Sequence, residues 1–232
     1  ARSIKTNHGD YWGRRANLKL LAATGNATDT QNGNDVASPT STSKNIDLLR
    51  VIAANAVEQG RFHDAIQKYR QAIDVATEQN NTGSKLLLSI AAAQCFEQLT
   101  LHNQAADLLF EAAASAKSLP AAPATHLRGC WNLAQAIAGS AEADQETAAM
   151  QNQYQEHLAK HIRNWPNSSS SNSAKFWQGR NRFSQQQYKP ALSDFLSVET
   201  TSELFPDALF SAAASVKQIL STAGNQPSTK LH

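Results

Sequence analysis

A small residue returns at the same point of a helical pattern four times along this chain, at Ala53, Ala93, Ala134 and Gly179. The steps between them are 40, 41 and 45 residues. A chain with such a period folds as a row of like units, because one unit cannot bury its apolar face alone and each must stack on the next. The first unit shows the pattern most fully: Leu49, Ile52, Ala53 and Ala56, then Gly60, then Phe62, Ala65, Ile66, Tyr69, Ala72 and Ile73. Apolar residues three and four apart on either side of a glycine predict two amphipathic helices joined by a tight turn. Alanine is abundant and aromatics make up only 7%. That balance favours closely packed helices, since alanine has the best helix propensity and lets two axes approach. The expected fold class is all-α.

Breaks in the pattern fall at Gly60, at Asn80 to Gly83, at Pro120 to Pro123, at Gly139-Ser140, at Pro166 to Ser173 and near Pro206. The intervals are helix-sized, and such short connections force neighbouring helices antiparallel. Repeat units are expected at residues 45–82, 83–122, 123–165 and 172–222, with a frayed tail at 223–232. Ahead of them, residues from Asp10 to Ala23 read as a short helix carrying Trp12, Leu18, Leu20 and Leu21, within an N-terminal segment 1–23. Residues 24–44 are Asn, Thr, Ser, Gly and Asp with Pro39, too poor in apolar surface to offset ordering entropy, and read as a flexible linker.

The units resemble the tetratricopeptide repeat. In that family the first helix of a hairpin carries a large residue, then Leu and a small residue, then an aromatic; the second carries Ala, three residues, an aromatic, then Ala. Ala65, Tyr69 and Ala72 reproduce the second-helix pattern in the first unit. Ala105, Leu109 and Ala112 follow it in the second, where Thr100 replaces the turn glycine. Tyr188, Ala191, Leu192, Phe195 and Val198 follow it in the fourth. The third keeps Leu133, Ala134 and Ile137 on its first helix, then Met150, Tyr154 and Leu158 at a departed spacing. The long steps and the Trp165-Pro-Asn-Ser168 turn are similar to the divergent repeats of bacterial envelope and scaffold proteins. The resemblance implies a right-handed α-solenoid, a TPR-like superhelix of about four hairpins whose first helices line a concave groove.

Carried over from the family, the groove positions are Arg50 and Val57, Ile90 and Gln94, Trp131 and Gln135, and Phe176, Arg180 and Phe183. The implied function is a scaffold or adaptor that binds a peptide or partner domain there. Net charge is +3 over residues 1–44, −5 over 45–156 and +4 over 157–232. Between Glu156 and Asp194 no acidic residue occurs, whereas Lys160, Arg163, Lys175, Arg180, Arg182 and Lys189 do, interleaved with aromatics. An acidic peptide is the partner such a face suits. Nucleic acid is disfavoured by a total charge of only +2 and an acidic middle. The alternative roles are a structural spacer within a larger multidomain protein and, less favoured, a nucleic-acid binder through the basic, aromatic C-terminal third.

Catalysis is not expected. The sequence contains no phosphate-cradling glycine loop, nucleophile elbow or paired CxxC. Cys95 and Cys130 read as small buried apolar residues. His157 and His161, four apart, read as surface histidines with too few other ligands for a metal, and no cofactor is implied. The four serines Ser168 to Ser171 read as a flexible loop. No run of about 18 apolar residues is present, so a soluble location, cytoplasmic or periplasmic, is expected. The chain begins at Ala1 without a basic-then-apolar leader, as expected for a piece of a longer protein.

Overall fold

The computed structural model describes residues 41–140 and 145–224. The proposed N-terminal helix, most of the linker and the tail lie outside these residues. Among the described residues the only regular structure is helical, in the order α1 (Ser41–Glu58), α2 (Phe62–Glu78), α3 (Thr82–Gln98), α4 (His102–Ser115), α5 (Ala122–Gly139), α6 (Gln145–Asn164), α7 (Ser169–Ser184), α8 (Tyr188–Leu196) and α9 (Phe205–Gly224). Each helix packs chiefly on its neighbours in sequence. The result is an all-α stack of antiparallel hairpins, a TPR-like helical repeat, with α9 following the fourth hairpin. α1 begins at Ser41, so the last four residues of the expected linker are helical.

Four of the turns use one device. Arg61 N–H donates to the Ala56 carbonyl while Gly60 N–H donates to Val57, and the same pair of bonds recurs at Asn81/Asn80, Leu101/Thr100 and Gln187/Gln186. This is the six-to-one plus five-to-two pattern of a left-handed helix end. It places Gly60, Asn80, Thr100 and Gln186 at φ of +71°, +54°, +59° and +62°. Glycine and asparagine accept that region readily; a β-branched threonine does not. Helix starts are also marked: Asn81 Oδ1 accepts from Ser84 N–H at 2.9 Å, and Ser168 Oγ accepts from Ser170 N–H.

Within hairpins one, two and four, the second-helix triplets Ala65/Tyr69/Ala72, Ala105/Leu109/Ala112 and Ala191/Phe195/Val198 are all buried. The small first-helix residues Ala53, Ala93 and Gly179 are buried as well. The closest approach is at Gly179, where a Cβ would stand 2.7 Å from the Phe195 ring. The third unit differs. Ala134 is only half-buried, and the tight contact on α5 is instead at Gly129, where a Cβ would stand 2.6 Å from the ring of Phe110 on the preceding helix. The small-residue register expected at Ala134 is therefore displaced, because α5 is anchored to α4 through this aromatic.

The apolar core falls into two clusters that meet at α4. Ala105, Leu109 and Ala112 belong to the first, with α1 to α3. Ala106 and Phe110 belong to the second, with α5 to α9. Both ends of the stack show apolar side chains: Leu48, Val51 and Ile52 on α1, and Leu209, Phe210, Val216 and Leu220 on α9. Among the described residues α1 and α9 are the outermost helices, and these side chains are left exposed on them.

Two substitutions test this account by urea denaturation. Thr100→Gly removes left-handed strain and should raise stability by about 1 kcal/mol, net of the entropy that glycine adds to the unfolded chain; a lower midpoint would contradict it. Gly179→Ala should lower stability by about 1–2 kcal/mol, since overpacking against the buried Phe195 ring outweighs alanine's better helix propensity.

Candidate partner-binding face

Among the described residues the first helices from α3 onward touch one another, α3 with α5, α5 with α7 and α7 with α9, a contact not matched between α1 and α3 or between any two second helices. Elements on the inside of a curve come closer than those on the outside, and by this pattern α3, α5, α7 and α9 share one side of the stack.

Arg50 on α1 is exposed and pairs with Asp47 at 3.3 Å within its own helix. Val57, Gln94, Trp131, Gln135, Arg180 and Phe183 are half-buried. Ile90 and Phe176 are 6% and 7% exposed and belong to the core. The Arg180 guanidinium lies 5.9 Å from the Phe176 ring centroid, a cation–π distance, so the buried ring holds the charge above it. Phe183 stands edge-on to Tyr188, with ring centroids 5.2 Å apart. Of the nearby cations, Arg182 donates to both oxygens of Asp194 on α8 at 2.9 Å. Burial pushes the Asp194 carboxyl up to about 6 even though Arg182 opposes the shift.

A polar network holds the joint between the second and third hairpins. Arg128 on α5 donates through Nε and Nη2 to the two oxygens of Glu97 on α3, and Asn132 Nδ2 donates to Glu97 Oε1 at 2.7 Å. The Asn132 amide oxygen lies 2.9 Å from His102 Nδ1 on α4, and the His102 ring meets Trp131 edge-on at 5.9 Å. Trp131 is thereby positioned by a residue thirty places upstream of Asn132. The sequence held no sign of this network, because its members come from three helices.

The largest departure from expectation is around His157 and His161. They are not surface residues: His161 is fully buried, and His157 stacks on Phe110 with centroids 3.5 Å apart and planes 8° from parallel. His126 from α5 joins them, its Nδ1 3.4 Å from His161 Nδ1. His161 Nε2 lies 3.0 Å from Ser170 Oγ. Whichever ring donates in this chain, His126 Nε2 is left buried without a partner, as is His157 Nδ1. Burial, reinforced by the neighbouring imidazoles and Lys160, lowers His126 to about 3; burial lowers His161 to about 4 and lowers His157 as well.

The serines are not a loop either. Ser168 caps α7 and Ser169 to Ser171 form its first turn, with Ser171 Oγ donating to the Trp165 carbonyl. Among the described residues no group of three or more His, Cys, Asp or Glu side chains is placed to hold a metal ion. Cys95 and Cys130 are free and buried, and burial pushes both thiols up, Cys95 to about 11. Thiols held protonated and out of solvent are poor nucleophiles.

The ion pair at the second joint gives a measurable consequence. Glu97 and Arg128 side chains are 16% and 15% exposed. Arg128→Ala leaves the carboxylate buried beside Asn132 alone and should cost about 3 kcal/mol in urea denaturation. Glu97→Leu/Arg128→Met, which removes both charges, should recover most of that loss.

No family model and no curated protein matches the sequence. Among solved structures, that of the MamA protein is similar at 12% sequence identity and a TM-score of 0.47, over 82% of this chain and 98% of that one. The fold assignment rests on the helix order, turn geometry and packing described above.

Proposed function

We propose that the chain is a protein-interaction scaffold whose first helices bind an acidic peptide or partner segment along their inner face. The observation that carries this reading is the charge and shape of that face. It is built from the helices that converge on one another, and its fourth unit sets Arg180 over an aromatic floor within a stretch free of acidic residues. A guanidinium above a ring can meet a carboxylate bidentately while its stem stays packed, the arrangement that makes arginine a frequent anchor. Gln94 and Gln135 supply adaptable polar contacts to an extended backbone, and Arg50 adds a second cation at the far end. Among the described residues no helix is long and apolar enough to cross a membrane.

The spacer reading is favoured by a different observation, the apolar side chains at both ends of the stack, which suit docking onto neighbouring domains. The two readings use different surfaces. A peptide array probed with the purified chain should retain acidic peptides in preference to neutral scrambles. Gln135→Ala/Arg180→Ala should weaken the best of them by about tenfold, equivalent to about 1.4 kcal/mol. Binding indifferent to acidic content sinks the acidic-partner reading. An absence of peptide binding, with association lost in Leu48→Ser/Phe210→Ser instead, favours the spacer.

A further inference from the structure

We propose that His126, His157 and His161 form an acid-triggered joint, whose charging parts the third and fourth hairpins while the first two stay folded. The three rings sit where α5, the end of α6 and the start of α7 converge. His126 lies with its ring centroid 5.5 Å from that of His157 and 5.4 Å from that of His161, and Trp165 closes the cluster at 5.2 Å from both His126 and His161. Every element packed here presents groups that suit neutral imidazole. From α4 comes the Phe110 ring, stacked on His157. From α5 comes the Cys130 thiol, 3.9 Å from His126 Nδ1. From α7 comes the Ser170 hydroxyl. From α6 comes Lys160, which repels charge on His126 and His157; the exception is Glu156, the one carboxylate among the described residues acting here, which favours charge on His157 alone.

A second imidazolium beside a charged His126 would therefore stand within 5.5 Å of it with a lysine nearby, in a site where no carboxylate among the described residues acts on His126 or His161. The C-terminal dipole of α6 favours a cation at His161, but that effect is roughly 1 kcal/mol and is smaller than the cost of burying an unpaired charge. The site meets the charge by opening to water.

The sign of the pH dependence follows. Imidazoles whose pKa is lowered in the fold bind fewer protons folded than unfolded, so the stability they contribute is complete above about pH 6.5 and is lost as pH falls toward 4. Asp194 works in the opposite direction: its carboxyl is raised by burial, so it favours the fold as pH falls through about 6. Acid loss thus originates at the histidines. It is also confined. The first core cluster contains no buried histidine, for His63 is exposed and His102 is half-buried against Asn132. Because the apolar core is divided at α4, the second cluster can loosen without the first. Trp131, Gln135 and Arg180 lie on the parting elements, so acidification would also dismantle that part of the inner face; this consequence rests on the groove reading, and the joint itself does not.

The test follows tryptophan emission and far-ultraviolet circular dichroism of the whole chain from pH 7.5 to 4. Of the four tryptophans, Trp131 and Trp177 report on the second cluster and Trp165 on the histidines themselves. Trp12, outside the described residues, is replaced throughout by a Trp12→Phe background, and the dichroism reports on all helices. Expected is an emission change between pH 6.5 and 4 with a large part of the helicity retained. In His126→Leu/His161→Leu its midpoint should move at least about one pH unit lower, while the exposed-site control His63→Gln leaves it in place. Emission and dichroism falling together at one midpoint, or a midpoint unmoved by the double substitution, would falsify the proposal. Should the variant not fold, proton NMR titration of the wild-type imidazoles decides: at least two should titrate well below 6.5, and all of them titrating near 6.5 overturns it.

Discussion

The stack depends on how closely two helices of a hairpin can approach. In three of the four hairpins a residue with no more than a methyl group, Ala53, Ala93 or Gly179, is buried on the first helix, and the buried positions of the second helix mix small and large side chains. Small side chains bring the backbones together, and the space beyond them is filled by one larger group, Tyr69, Leu109 or Phe195. At Gly179 even a methyl group would meet the Phe195 ring at 2.7 Å. Native packing density leaves no slack for such a change, so this one contact sets the local hairpin geometry. The left-handed turns at Gly60, Thr100 and Gln186 then return the chain in register.

The third hairpin is held by other means. With its small-residue contact displaced to Gly129 and turned toward α4, α5 meets its neighbours through polar and aromatic groups. Glu97, Arg128 and Asn132 tie it to the second hairpin, and His126, His161 and Ser170 tie it to the third and fourth. Apolar packing is indifferent to pH, whereas imidazole packing is not. One stack thus joins a first half whose core holds no buried histidine to a second in which the proposed joint closes on neutral histidines.

The placement of the inner-face residues follows from the same geometry. The first helices carry partly exposed side chains such as Gln94, Trp131, Gln135 and Arg180, and in two of the four units one expected groove residue is instead sunk into the core. Ile90 and Phe176 are those residues in the second and fourth units. Phe176 serves both purposes, filling the core on one side and supporting Arg180 on the other.

Period, helix lengths and most turns were legible in the sequence because they depend on contacts within about forty residues. Ala65, Tyr69 and Ala72 lie on one helical face wherever that helix sits, and Gly60 marks a left-handed turn without reference to anything distant. The serines before Ala174 misled because four hydroxyls in a row read as a loop; only the carbonyl of Trp165 and the ring of His161 show why they begin a helix. His157 and His161 misled in the same way. A polar helix carries no sign of which face is covered, and the covering groups, Phe110 and His126, come from helices 30 to 50 residues earlier. By itself the sequence determined an all-α row of hairpins, since helical period and turn chemistry are local. Burial of the histidines, pairing of Glu97 with Arg128, and the division of the core at α4 were decided only by tertiary structure, because each depends on which faces of distant helices are brought together.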